Sequence, residues 1–178
     1  MNGAEKAQGR DEIRQLAYRY AHATDTRDLD ALVECFIPEV QVGRDRRGRE
    51  ALRADFDRQL RAVGITILFV GNHLIDFIDE THATGHVYCR AEIQEGDRWI
   101  QQAIRYDDTY EKQGDDWLFV RRKHQLFYGA EPGKTRSVCH LRIGRKIQPV
   151  AAHCPSPKAI GRSSGKKGER RTPSRSIP

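Results

Sequence analysis

The stretch Ile65–Asp79, ITILFVGNHLIDFID, constrains this chain most. It follows Gly64 and is dense in β-branched and aromatic residues, which predicts a strand, yet it is longer than an ordinary strand unless the sheet is strongly curved. Asn72 and His73 interrupt it beside Gly71. In so apolar a run each must find a partner inside the fold or look into a cavity, because an unpaired buried amide or imidazole costs about 1–3 kcal/mol. Adjacent strand residues point to opposite faces, so at most one of the two looks inward.

Upstream of Gly64 the periodicity is helical. Ile13, Leu16, Ala17, Tyr20 and Ala21 share one face of a helix expected over Asp11–Thr24, after a flexible, polar segment 1–10. The run TDTRDLDALVECF interrupts and restarts it. Thr26 or Asp28 can cap a second helix through Leu29, Leu32, Val33 and Phe36, ended by Pro38, and Asp25 falls at the junction. A short extended piece at Glu39–Gly43 and a polar turn at Arg44–Gly48 lead to a third helix over Arg49–Val63, with Leu52, Phe56 and Leu60 as its apolar face.

Downstream of Gly64, four alternating stretches, Ile65–Asp79, Ala83–Gln94, Arg98–Glu111 and Trp117–Tyr128, are joined by short connections. Such loops make antiparallel neighbours. Helices first and a meander second predict an α+β fold in which a curved antiparallel sheet is packed against N-terminal helices, leaving a pocket for a small molecule.

Charge divides the chain. The sequence carries a net charge of +6, but the segment from Lys134 onward holds +11 and residues 1–133 hold −5. A mildly acidic domain over 11–133 is therefore followed by a basic tail over 134–178, rich in Ser, Pro and Gly and too poor in apolar residues to offset the cost of ordering. Such a tail suits salt-sensitive, non-specific contacts with nucleic-acid phosphates, although it lacks interleaved aromatics for stacking on single strands; the plainer expectation is a solvated tail without function. The polar N-terminus and the lack of a long apolar run lead to the expectation of a cytoplasmic protein away from membranes. Cys35, Cys89, Cys139 and Cys154 show no paired spacing and are expected as reduced, mostly buried thiols. Neither a phosphate loop, a zinc-ligand spacing nor a nucleophile elbow occurs, so the expected chemistry uses no cofactor and no metal.

The segments RYAHATDTRDLDALVECF, GREAL, FVGNHLIDF, ATGHVYCRAE and RYDDTYEKQGDDWLFVRR, in this order, resemble the SnoaL-like proteins of the nuclear transport factor 2-like superfamily, in the branch similar to scytalone dehydratase. The likeness spans Asp11–Tyr128. It implies a cone-shaped α+β barrel of the nuclear transport factor 2-like, cystatin-like type, often a homodimer through the sheet, with a pocket used by dehydratases, cyclases, isomerases and epoxide hydrolases and by members without catalysis. By the same resemblance Asp25 matches the pocket aspartate, while Leu68 stands where those enzymes carry a catalytic histidine. Histidine-centred dehydration then requires His73 or another histidine.

Asp25 is the candidate base, and it serves equally well as a helix cap. His73 is the candidate proton partner, since imidazole titrates near neutrality; the plainer alternative is a hydrogen-bonded core histidine. Tyr20, Tyr88, Arg90, Tyr106 and His124 are the candidates for holding or polarising substrate oxygens. Tyr88, Arg90 and Glu92 share one strand face and Val87, Cys89, Ala91 and Ile93 the other; alternation leaves open which faces inward. The fourth strand places Arg122 and His124 beside Leu118, Val120 and Tyr128, with Trp117 and Phe119 as core or interface residues. Arg122 and Asp108 are expected as a structural ion pair. The expected function is binding, and cofactor-free dehydration, isomerisation or hydrolysis, of an apolar or polycyclic molecule bearing hydroxyl or carbonyl groups. The alternative is a non-catalytic ligand-binding or dimerising module.

Overall fold

Helix α1 (Gly3–Thr26) begins where Asn2 accepts hydrogen bonds from the Ala4 and Glu5 amides while Glu5 accepts one from the Asn2 amide. This reciprocal cap satisfies backbone donors that a helix start otherwise leaves bare. The helix thus opens inside the segment expected to be flexible. The computed structural model describes residues 1–132 and Ser137–Val138. The remainder of the basic tail, with the nucleic-acid expectation attached to it, lies outside the described residues, as do Cys139 and Cys154.

Asp28 caps α2 (Leu29–Glu34) through the Ala31 amide at 3.0 Å. Strands β1 (Gln41–Val42) and β2 (Arg46–Arg47) form a small hairpin before α3 (Arg49–Arg61). The main sheet follows as an antiparallel meander of β3 (Thr66–Phe77), β4 (His82–Glu95), β5 (Arg98–Gln113) and β6 (Asp116–Ala130). Strand β7 (Ser137–Val138) adds two residues to the β6 edge opposite Tyr128 and Gly129, within the segment expected to be disordered. Nearer its start, β6 is bridged by the chain after α2, where the Ile37 amide donates to the Phe119 carbonyl at 3.0 Å.

Three register shifts bend the sheet: between Val70 and His73, between Ala103 and Ile104, and between Thr109 and Tyr110. Each adds a residue on one strand without a partner, which kinks that strand and raises its twist. The α1 face built from Ile13, Leu16 and Tyr20 packs in one core with Val87, Cys89, Tyr110, Trp117 and Phe119. By contrast no residue of α3 is buried; Leu52, Phe56 and Leu60 are only partly covered. That incomplete covering leaves a cavity.

Candidate ligand cavity and its buried polar chain

The cavity holds about 990 Å³, at the upper end for a small-molecule site. Leu52, Phe56 and Leu60 of α3 and Val63 just beyond it form its apolar wall, with Thr66 and Leu68 from β3 and Ala91 and Ile93 from β4. Polar groups enter from α1, β5 and β6, as Tyr20, Gln102, Tyr106 and the run Arg121–His124, with Gln41 from β1 and Gln59 from α3. The β4 alternation is therefore resolved with Val87, Cys89 and Ala91 buried, while Tyr88 is 47% exposed. Tyr88 and Arg90 stand on the outer sheet face, away from the cavity; Tyr88 stacks on Phe127 there at 6.2 Å.

The set Leu118, Val120, Arg122 and His124 does not share a face. The shift at Thr109/Tyr110 pairs Tyr110 with Phe119 and Asp108 with Arg122, so Trp117 and Phe119 turn inward with Arg122. Even spacing in the sequence hid this, because a bulge leaves no residue-type signature on β6.

Asp25 occupies the last turn of α1, one residue beyond the cavity-lining Thr24. Thr66 Oγ1 donates to its Oδ1 at 3.1 Å and the Leu68 amide to its Oδ2 at 3.0 Å. Arg27, at φ 62°, donates to the Thr24 carbonyl and to Thr66 Oγ1, both at 2.7 Å, and to the Gly64 carbonyl. Both carboxylate oxygens thus fasten the end of α1 to the start of β3, and Asp28 performs the capping.

Under the cavity runs a buried chain of hydrogen bonds. Arg122 Nε and Nη2 donate to Asp108 Oδ1 and Oδ2 at 2.9 and 2.7 Å, with the two side chains 4% and 0% exposed. The guanidinium lies over three rings, 4.4 Å from Tyr20, 4.3 Å from Tyr106 and 4.1 Å from Phe119. Burial works against its charge, and the Asp108 carboxylate overrides that, raising its pKa further. The Tyr110 hydroxyl donates to Asp108 Oδ2 at 2.9 Å, so its oxygen accepts from His73 Nε2, also at 2.9 Å. His73 is therefore the Nε2–H tautomer, and its buried Nδ1 has no partner among the described residues. His73 does not line the cavity; it joins Arg122 only through Tyr110 and Asp108.

Burial pulls the His73 pKa down from 6.5 to about 4. The unfolded chain then takes up a proton below pH 6.5 that the folded chain refuses, so stability is lost as pH falls from about 6.5 to about 4. With His73 only partly buried, screening leaves roughly 1–2 kcal/mol at the acid end. Urea midpoints at pH 7 and 4.5 are expected to converge by that amount in His73→Phe; an unaltered pH slope would refute the assignment.

Partial desolvation at the cavity mouth lowers the pKa of the exposed His124, and burial raises those of Tyr20 and Tyr106, so at neutral pH the cavity offers a neutral imidazole and two protonated hydroxyls. The hydroxyls make no hydrogen bond among the described residues. Cys35 and Cys89 are buried thiols pushed up to about 11. Among the described residues no group of three or more His, Cys, Asp or Glu is placed to hold a metal ion, and no helix is long and apolar enough to cross a membrane.

Residues 5–123, two thirds of the chain, match the family model of the SnoaL-like domain. The chain belongs to the SnoaL-like domain family. Solved structures share the fold. A putative scytalone dehydratase from Novosphingobium aromaticivorans superposes with a TM-score of 0.66 at 20% identity, over 82% of this chain and 99% of that one. The hexachlorocyclohexane dehydrochlorinase LinA-type3 from Novosphingobium barchaimii gives 0.66 at 16% identity, over 78% and 99%. A protein of unknown function with a cystatin-like fold from Nostoc punctiforme gives 0.55 at 20% identity, over 66% and 90%. At these identities the likeness shows the fold alone. No curated protein matches the sequence. For this SnoaL-like chain the sequence pointed to Tyr20, Tyr106 and His124, all of which line the cavity; it valued Arg122 only as half of an ion pair, because its place between Tyr20 and Tyr106 is a tertiary fact.

Proposed function

We propose that this SnoaL-like chain binds an apolar cyclic molecule carrying an oxygen and catalyses cofactor-independent proton transfer on it, as elimination or isomerisation. The observation that carries this reading is the convergence of two unpartnered tyrosine hydroxyls, Arg122 and a neutral histidine on one wall of the cavity, facing the apolar side chains of α3. Tyr20, Tyr106 and Arg122 hold the oxygen and stabilise charge developing on it. His124 takes the proton, since a base that is neutral at working pH is ready to accept one. Asp25 orients β3 behind Leu68. The names of the dehydratase and dehydrochlorinase neighbours agree with elimination chemistry.

The test is a binding and turnover screen of hydroxylated polycyclic, steroid, terpenoid and halogenated cyclic compounds. His124→Gln is expected to lower turnover by about 10²–10⁴-fold with binding retained. Turnover that survives there and vanishes in Asp25→Asn would return the base role to Asp25. A second reading, non-catalytic binding, is favoured by Leu68 lining the cavity beside Asp25 and by both oxygens of that carboxylate being engaged. Ligands that bind but are never consumed would establish it.

We also propose that the outer sheet face receives a second copy of the chain, because it exposes Phe69 at 59%, Leu74 at 60%, Tyr88 at 47% and Trp99 at 36%. Sedimentation should give a dimer that Leu74→Glu dissociates; a monomeric wild type would refute it.

A further inference from the structure

Resting on the reading of the cavity as a ligand site, we propose that Asp108, acting through Arg122, fixes the charge class of the ligand: an uncharged oxygen acceptor such as a ketone, ester or phenol is admitted and a carboxylate is refused. Arg122 reaches the cavity with its Nε and Nη2 already committed to Asp108; Nη1 has no partner among the described residues. An incoming carboxylate would therefore share one guanidinium with a second carboxylate whose side chain is 0% exposed. Two like charges in one unscreened site repel, and the newcomer would also surrender its hydration to apolar walls. None of the lining residues is an acid, so no acidic side chain is at hand to share a proton with it. Arg121 and Lys123 also belong to the cavity lining, but they pair in register with Thr109 and Asp107, and Asp107 meets His86 on the outer face at 2.8 Å, so the register directs their charges outward, away from Arg122. A carbonyl oxygen has no such penalty. It accepts from Arg122 Nη1 or from the Tyr20 and Tyr106 hydroxyls while its ring system lies against Leu52, Phe56, Leu60 and Ile93. Asp108 touches no ligand and is a specificity-determining residue by position.

The experiment measures calorimetric affinities of four matched probes for the full chain at pH 7.5: naphthalene, 2-acetylnaphthalene, methyl 2-naphthoate and 2-naphthoate. The ketone and the ester are expected to bind at least 10-fold more tightly than the carboxylate and more tightly than naphthalene. Asp108→Asn is expected to narrow or reverse the ketone-to-carboxylate ratio, since Arg122 then lacks its counter-charge; a purely structural role would weaken all four probes alike. That variant leaves a buried arginine short of its partner, so where it fails to fold the wild-type ratios decide alone. A carboxylate bound as tightly as the ketone would overturn the selectivity while leaving the cavity reading intact. Failure of all four probes to bind would overturn the cavity reading and the inference with it.

Discussion

Arg122→Leu is expected to destabilise the fold by about 3–5 kcal/mol, because it leaves the Asp108 carboxylate buried with only the Tyr110 hydroxyl for company. For a chain of this size that is a fall in melting temperature of roughly 6–20 °C. The guanidinium is packed within 4.4 Å of three ring centroids, so the leucine also loses packing with Tyr20, Tyr106 and Phe119. The partner experiment separates the two effects. Arg122→Leu combined with Asp108→Leu removes both charges and is expected to recover most of the loss, since a buried ion pair replaced by apolar groups of similar size is often close to neutral. Equilibrium urea unfolding reads both. A single variant within about 1 kcal/mol of wild type would mean that Asp108 is not the dry, dependent carboxylate described above.

Gly85→Ala is the next largest expected effect, at about 1–3 kcal/mol. A Cβ at this position would lie 2.8 Å from the Leu74 carbonyl oxygen and 3.0 and 3.1 Å from the ring and hydroxyl of Tyr110. The carbonyl belongs to the neighbouring strand and yields only if the sheet opens. The strain therefore falls on Tyr110, whose hydroxyl serves both Asp108 and His73. The variant is expected to show a lower urea midpoint together with a changed pH slope between 4 and 6.5. A lower midpoint with an unchanged slope would localise the strain to the strand pair and spare the polar chain.

Much of this architecture was legible beforehand. The three helices and four long strands follow from periodicity and short connections, and their observed ends differ from the expected ones by two residues or fewer except at the start of α1. There the Asn2–Glu5 cap recruits a polar segment that carries no apolar stripe; α2, within that limit, stops at Glu34, two residues before Phe36. The Arg122–Asp108 pair was legible because two opposite charges sat on facing strands. The inner and outer faces of the sheet were not, since alternation fixes which residues share a side but not which side the helices cover. Nor was the site's grouping: Asp25 and His73, paired as candidates in the sequence, are fastened to different partners, Thr66 and Leu68 in one case and Tyr110 in the other.

The shift between Val70 and His73 divides β3 into two reading frames. Before it, even positions such as Thr66, Leu68 and Val70 face the helices; after it, odd positions such as His73, Ile75 and Phe77 do. One supernumerary residue thus inverts the parity of everything downstream on the strand. Were the frame continuous, Asn72, Leu74 and Asp76 would point inward, and His73 would lie on the open surface. Histidines on either side of this point are consequently not interchangeable by counting. A homologue with one residue fewer at Gly71–Asn72 would present a different set of side chains from an almost identical string of letters, and alignments through this strand should be anchored separately at Thr66 and at Ile75.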